Sequence, residues 1–356
     1  MVGRPQITVC DDDNPNRMAE CDLVDLLFHG TRVRIDKDGQ QFAHWTPLAG
    51  RGLEVKTSRM RAAIAECWRE AFSDGAPLAN RRKRGAMPLV QLIVLAIIQG
   101  ITEFLPVSSS AHLILAPIIV NGWADQGPLI DVAGHIGSLA AVLLFFRSET
   151  AMLFRGGLDT LQFRATDDRR LFLMIAAATI PVLAFAAVLV ALNLVDALRS
   201  PIVIGWTSII FGIILWLSDR SPVDKHGLKR VTWREALSIG AAQMLSIIPG
   251  TSRSGITMTA ARYLGWARPE AARFSMLLAI PTIAAFGVFA SIDLIKEGAQ
   301  ATISAAAIVA ALSFVTAYLT IAAFMRLTQR VSFTPFVIYR VLLGVALLAF
   351  AGKLAG

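Results

Sequence analysis

Residues 99–112 read QGITEFLPVSSSAH, and residues 249–255 read PGTSRSG. Each stretch follows a short apolar run and places a proline just before clustered hydroxyl side chains. Backbone that leaves the helix at membrane depth is tolerated only where it is buried in protein or lines a wet cavity. The two stretches therefore predict two re-entrant helix pairs within a membrane domain.

The sequence around these stretches is a series of apolar runs. They are 89–105, 111–120, 132–146, 171–192, 202–217, 235–248, 274–292, 303–324 and 336–352. A helix that crosses the bilayer needs about 20 apolar residues, with shorter tilted exceptions. The runs beside the two serine-rich stretches are short and interrupted by proline, and the other six are expected to cross.

Basic residues set the expected orientation, because cytoplasmic loops carry an excess of lysine and arginine. They cluster in the loops 147–170, 219–234 and 326–330, which we place on the cytoplasmic side. The result is an all-α, polytopic membrane protein with six transmembrane helices and two re-entrant helix pairs. The re-entrant pairs enter from opposite sides and each precedes three spans, which predicts an inverted-topology repeat.

Charge is distributed unevenly along the 356 residues, of which 55% are hydrophobic and 17% are charged. Residues 1–86 hold 14 of the 34 basic residues, 12 of the 26 acidic residues and all three cysteines. We expect a polar N-terminal extension over 1–86, either a disordered appendage or the product of a start codon assigned too far upstream. The membrane-embedded domain is 87–356. Its basic residues lie in short loops, so the net charge of +8 does not indicate nucleic-acid binding.

Glu103 lies within an apolar run, and an acid at membrane depth is by default a functional candidate. The hydroxyls that follow it are Ser108, Ser109 and Ser110, and His112 comes next. Serine before an apolar run is also a helix N-cap signal, so a purely structural role for the serines is the alternative.

The second stretch has the residues of an anion site. Thr251, Ser252 and Ser254 offer hydroxyls and N–H groups at a helix start. Arg253 adds a planar fork suited to bidentate contact with phosphate. A structural ion pair between Arg253 and Glu103 is the alternative, and it is compatible with an anion site.

Together the two stretches hold an acid, a histidine, hydroxyls and an arginine, which are the requirements of phosphoryl transfer. Walker, HExxH and CxxC patterns are absent from the sequence. His135 is an additional candidate for the same cavity, although a packing role fits it equally well.

The stretches 99–112 and 249–255 resemble two signatures of the undecaprenyl-diphosphatase (bacitracin-resistance) family. The segment 331–340, VSFTPFVIYR, is similar to the family's C-terminal stretch, and the resemblance covers 87–356. It implies hydrolysis of undecaprenyl diphosphate to undecaprenyl phosphate, which recycles the lipid carrier of cell-wall synthesis and confers bacitracin resistance. It also implies a multi-pass protein of the cell inner membrane with its active site facing the periplasm.

The resemblance implies specific site residues. The catalytic residues are Glu103, Ser109, His112 and Arg253. The substrate-binding residues, from the resemblance and the anion-site pattern together, are Ser108, Ser110, Thr251, Ser252, Ser254 and Gln99. A divalent cation, Mg²⁺ or Ca²⁺, is expected on Glu103.

Several roles stay open at this point. Glu103 is a metal ligand or a general base, and Ser109 is the nucleophile or a phosphate contact. His112 is a general acid/base or a phosphoryl acceptor. The family has Glu or Gln at the first signature position, and this chain has Gln99.

A transporter that flips a polyprenyl phosphate is the alternative function, because inverted repeats with broken helices are typical of transporters. The expected partners are the polyprenyl diphosphate substrate and membrane lipids, and a homo-oligomer is left open.

Overall fold

The computed structural model describes residues 88–120, 123, 126–192, 194–224, 227–297 and 303–354. The expectation for residues 1–86 lies outside this part of the chain. The described residues form α-helices and short 3₁₀ turns without a strand, which confirms the all-α prediction. The α-helices are α1 Leu89–Thr102, α2 Ser109–Ile119, α3 Gly127–Phe145, α4 Arg147–Leu161, α5 Asp167–Ala191, α6 Pro201–Ser218, α7 Trp233–Gln243, α8 Arg253–Tyr263, α9 Arg268–Glu297, α10 Ile303–Leu327 and α11 Thr334–Leu354.

Local capping signals explain where several helices begin. The Thr232 hydroxyl accepts from the N–H of Glu235, and the Glu235 carboxylate accepts from the N–H of Thr232, which forms a capping box at α7. Ser200 caps α6, whose first residue is Pro201. These contacts satisfy N–H groups that the first turn of a helix leaves without partners.

Four of the described helices are long and apolar enough to cross a membrane. They are α5, α6, the Arg268–Val288 part of α9 and the Ser304–Leu327 part of α10. A fifth crossing results if Leu129–Phe145 and Arg147–Leu161, which bend by 95° at their junction, are counted as one span. The chain is therefore a multi-pass membrane protein. The apolar part of α11, Thr334–Phe350, is shorter than these spans.

Two helices were not expected from the apolar runs. The sequence predicts a loop after residue 146, and this is wrong for Arg147–Leu161, which is helix α4. The cytoplasmic side of this segment stays a prediction. Its mixed polar and apolar residues carry no membrane signal, although its apolar face packs on α5. Helix α8 has no apolar run because it is rich in small and polar residues, and it lies where the second re-entrant pair and the helix start at Thr251–Ser254 were predicted.

The helix contacts of the first serine-rich half have counterparts in the second half. The short helix that leads into each serine-rich loop packs on a long helix of the other half. Helix α1 lies on α10, and α7 lies on α5, while α3 contacts α9 and α6 contacts α11. In the first contact Ser313 donates to the Ala96 carbonyl over 3.1 Å. In the second, a Cβ on Gly240 would overlap the Ala178 carbonyl, so only glycine allows this approach. The two contacts bring α1 and α7, which lead into the two serine-rich loops, against long helices.

Candidate active site

The two serine-rich loops end in the same backbone conformation. Ser108 precedes α2 with φ 73° and ψ 94°, and Ser252 precedes α8 with φ 70° and ψ 115°. A positive φ is uncommon outside glycine and marks functional sites. The two hydroxyl pairs also match, because Ser108 and Ser110 lie 3.3 Å apart and Ser252 and Ser254 lie 3.2 Å apart, between Oγ atoms. Each loop therefore presents a helix N-terminus with clustered hydroxyls.

Direct hydrogen bonds join the two loops. The Gly250 N–H donates to Ser108 Oγ over 3.2 Å, and Ser254 Oγ donates to the Leu105 carbonyl over 2.8 Å. Gly250 has φ 90°, and a Cβ there would overlap the Thr207 hydroxyl, so glycine is required for two reasons. The residues that the sequence places about 140 positions apart thus form one site.

Glu103 lies at the centre of this site and is buried. Its Oε2 accepts from Ser109 Oγ over 2.6 Å, and its Oε1 accepts from Arg253 Nη2 over 3.0 Å. A hydroxyl bonded to a carboxylate has a base ready to take its proton. The guanidinium beside it is suited to bind phosphate oxygens. The structure therefore brings together three of the four predicted catalytic residues.

Gln99 lies one helical turn before Glu103, and its Nε2 donates to Glu103 Oε2 over 3.0 Å. An ionised carboxylate only accepts, so the amide nitrogen must face Glu103 and the oxygen must face the other way. That oxygen, Gln99 Oε1, is buried and has no hydrogen-bond partner among the described residues.

His135 is the histidine that faces Glu103, with its Nε2 3.6 Å from Glu103 Oε2. Its Nδ1 donates to the backbone carbonyl of Asp131 over 2.7 Å. That bond fixes the proton on Nδ1 and leaves Nε2 directed at the site. The sequence could not separate this placement from a packing role.

His112 has different neighbours. Its Nδ1 donates to the Ser108 carbonyl over 2.6 Å, and in the neutral ring its Nε2 accepts from the Tyr339 hydroxyl over 2.5 Å. The His112 and Tyr339 rings are stacked, with centroids 5.7 Å apart. Within the described chain His112 therefore contacts Tyr339 rather than Glu103. Tyr339 was missed from the sequence, where only the resemblance of 331–340 drew attention to it.

The remaining predicted residues differ in exposure. Ser110 is exposed, whereas Thr251 is fully buried and its hydroxyl has no partner in the described part of the chain. Ser252 Oγ accepts from the Gly255 N–H over 3.1 Å, which is an N-cap contact. The capping alternative concerned the first stretch, and Ser108 makes no side-chain cap bond there.

Arg340 is a buried residue behind the loops that sequence reasoning did not select. Its Nη2 donates to the carbonyls of Gly250 and Thr251, over 2.8 Å and 2.9 Å. Its position 89 residues from Thr251 gave no sign of this contact.

A divalent cation has few protein ligands available here. The described residues contain no group of three or more His, Cys, Asp or Glu that could hold a metal ion. Glu103 supplies a carboxylate, whereas the Gln99 amide turns its nitrogen toward Glu103 and its oxygen away. A single carboxylate fits Mg²⁺, which typically takes one or two carboxylates and completes its shell with water and substrate phosphate.

Residues 92–346 match the sequence profile of the family described as bacitracin resistance protein BacA. The chain belongs to the BacA family. A relative from Maricaulis maris, named undecaprenyl-diphosphatase, is 54% identical over 74% of this chain and 99% of its own length. Relatives with the same name from Jannaschia sp. and Alcanivorax borkumensis are 47% and 48% identical, and the match covers 74% of this chain and 99% and 98% of their lengths. These BacA relatives are thus matched almost end to end.

Proposed function

We propose that this BacA-family chain hydrolyses undecaprenyl diphosphate to undecaprenyl phosphate and inorganic phosphate. The observation that carries the proposal is the pair of contacts on Glu103, with Ser109 Oγ at 2.6 Å and Arg253 Nη2 at 3.0 Å. The relatives' name, undecaprenyl-diphosphatase, gives the same reaction, and the family description gives bacitracin resistance. Its product returns the lipid carrier to cell-wall synthesis, and its activity confers bacitracin resistance.

Ser109 is the nucleophile in this proposal. Its oxygen attacks the terminal phosphorus while Glu103 takes the hydroxyl proton, and the bond to the bridging oxygen breaks. Undecaprenyl phosphate leaves, and a phosphoserine remains. Glu103 first releases the hydroxyl proton to solvent. Water then attacks the phosphoserine phosphorus while Glu103 takes a proton from the water, the bond from phosphorus to Ser109 Oγ breaks, and Glu103 returns the proton to the serine oxygen as inorganic phosphate departs. The 2.6 Å contact supports this order of events because it already aligns base and nucleophile.

Arg253 and the two helix N-termini bind the diphosphate. A planar guanidinium contacts two phosphate oxygens at once, and the N–H groups of the first turns of α2 and α8 favour an anion. Ser108, Ser110, Ser252 and Ser254 line these helix starts. For Thr251 the hydroxyl is buried, so its contribution comes through the backbone of the loop.

A divalent cation, Mg²⁺ or Ca²⁺, would be held in this proposal by the Glu103 carboxylate, with substrate phosphate and water completing its shell. When bound it neutralises charge on the diphosphate. We assign His112 the general acid/base role on the outer side of the site. Its Nδ1 is bonded to the Ser108 carbonyl, so Nε2, which accepts from Tyr339, is the nitrogen that would exchange a proton.

The proposed topology has six spans and two re-entrant pairs in an inverted repeat. Its support is the shared backbone of Ser108 and Ser252 and the matched packing of α1 on α10 and α7 on α5. We place the protein in the inner membrane with the site open to the periplasm. In a cysteine-free background, an impermeant thiol reagent should label Leu194→Cys and not Arg220→Cys. The reverse pattern would invert the topology.

Purified protein in detergent tests the function, because no transbilayer step exists there. We expect phosphate release from undecaprenyl diphosphate, loss of that activity in Ser109→Ala, and incorporation of labelled terminal phosphate into Ser109 of trapped wild type. Intact lipid diphosphate in detergent, together with lipid movement in proteoliposomes, would favour the transporter. Activity retained in Ser109→Ala would assign Ser109 to phosphate contact.

A further inference from the structure

Arg340 and Arg262 are both fully buried, and both donate to backbone carbonyls. They differ in whether a carboxylate lies beside the guanidinium. Arg262 has a carboxylate partner, since its Nε lies 3.5 Å from Asp219 Oδ1. No ion pair to Arg340 occurs in the described part of the chain. Burying a charge is costly unless it is compensated. The buried charge of Arg262 is therefore balanced by Asp219, whereas the burial of Arg340 must be explained by its contacts with backbone carbonyls.

The contacts of Arg340 converge on the two serine-rich loops. Its Nη2 donates to Gly250 O and Thr251 O, at 2.8 Å and 2.9 Å, directly before Ser252. Its Nη1 donates to Pro106 O at 3.4 Å, two residues before Ser108. The planar fork thus reaches one carbonyl group of the first loop and two of the second.

We propose that Arg340 is a positioning residue that holds the two serine-bearing helix starts together so that one diphosphate contacts both, with one phosphate group at each. The inference rests on the proposed function and deepens it. The uncompensated guanidinium behind the loops also favours an anion in front of them. An ammonium group at this position would not span the carbonyls of both loops, because it lacks the fixed fork.

Two lipid probes separate positioning from general stability. Farnesyl methylenediphosphonate resists hydrolysis and spans both helix starts, whereas farnesyl monophosphate occupies one. Binding of each probe is measured for wild type, Arg340→Lys and the matched control Arg262→Lys. We expect Arg340→Lys to weaken the diphosphonate by about tenfold, the scale of one lost charge-assisted hydrogen bond, with a much smaller effect on the monophosphate. Arg262→Lys should leave the ratio of the two affinities unchanged.

Two glycine-to-alanine substitutions near Arg340 provide a second test if Arg340→Lys does not fold. A Cβ on Gly255 would lie 2.9 Å from Arg340 Nη1 and 3.1 Å from Ser252 Cβ, so Gly255→Ala displaces the guanidinium while keeping its charge. The affinity for the monophosphate reports any effect through Ser252. A Cβ on Gly212 would lie 3.4 Å from Arg340 Cβ, an ordinary contact, so Gly212→Ala is the control. We expect the diphosphonate preference to fall in Gly255→Ala and to persist in Gly212→Ala.

An unchanged ratio of affinities in both Arg340→Lys and Gly255→Ala would overturn the proposal, as would an equal loss for the two probes. Phosphate release from undecaprenyl diphosphate is measured in parallel. If wild type releases no phosphate, the proposed function is wrong, and the ratio of the two probe affinities still tests the role of Arg340. If wild type is active and the ratios do not move, the role of Arg340 alone is wrong.

Discussion

The loops before α2 and α8 share a backbone and differ in chemistry. Both place a serine at positive φ, and both set two serine hydroxyls close together. The first loop brings the carboxylate and the hydroxyl that contact each other, Glu103 and Ser109. The second brings the guanidinium, Arg253, to the same carboxylate. The same backbone conformation occurs in both loops, while the reactive groups are divided between them.

Because the reactive groups are divided, substitutions in the two loops should impair different parts of the reaction. Damage to the first loop should remove the chemical step, and damage to the second should remove stabilisation of the phosphate. A second Glu–Arg pair, buried Glu149 with half-buried Arg273, lies outside the site and provides controls.

The largest effect is expected for Glu103→Gln. The amide keeps the shape of the side chain but loses the charge and basicity that serve Ser109, so phosphate release should fall by about 10³-fold. Turnover is measured in detergent, alongside the thermal unfolding midpoint. Glu149→Gln should lose stability and keep its turnover per folded molecule. Substantial activity in Glu103→Gln would move the base to one of the two histidines.

The next effect is expected for Arg253→Lys. A point charge cannot reproduce the bidentate fork, and turnover should fall by about 10²-fold, equal to ~3 kcal/mol of transition-state stabilisation. Steady-state kinetics on the lipid diphosphate provide the measurement, with Arg273→Lys as the control. Near-normal turnover would make Arg253 a structural partner of Glu103, and the division of roles between the loops would be lost.

A moderate effect is expected for Gln99→Glu. The substitution places a second carboxylate 3.0 Å from Glu103 Oε2, where like charges oppose joint ionisation. A divalent cation relieves that repulsion, so activity should survive within about tenfold, with a steeper dependence on Mg²⁺ or Ca²⁺ and a shifted pH optimum. Metal titrations of wild type and variant are compared. An unchanged metal dependence would show that a carboxylate at position 99 does not reach the cation.

The smallest effect tests whether the two backbones are equivalent. Alanine and glycine at Ser108 both remove the hydroxyl, but only glycine accepts a positive φ without strain. Ser108→Gly should therefore be more stable than Ser108→Ala by about 1 kcal/mol, and the same should hold at Ser252. Thermal unfolding of the four variants gives both differences. A difference in one loop alone would break the correspondence.

Much of this site was predictable from sequence because its parts are local. The prolines and serines of 106–110 and 249–254 mark helix breaks with hydroxyls, and an acid in an apolar run calls for a function. The contact of Arg253 with Glu103, first considered as a structural alternative, is present in the structure. Apolar runs likewise located most of the long helices.

The unpredicted parts depend on tertiary contacts or on polar helices. Tyr339 reaches His112 across 227 residues, and the sequence contains no spacing rule for such a contact. His135 could equally have packed in the core, since its role depends on which face of α3 meets Glu103. Helix α4 was missed because a polar amphipathic helix has no membrane signal, and its arginines suggested a loop.

The ion pair between Glu103 and Arg253 means that the site carries its own competing anion. Any incoming phosphate must displace the Glu103 carboxylate from the guanidinium before it can bind there. A diphosphate carries more negative charge than a monophosphate and competes better with the Glu103 carboxylate for Arg253. This competition should favour binding of the diphosphate substrate over the monophosphate lipid product. The other oxygen of the same carboxylate keeps its contact with Ser109, and the return of the first to Arg253 would help to expel the product.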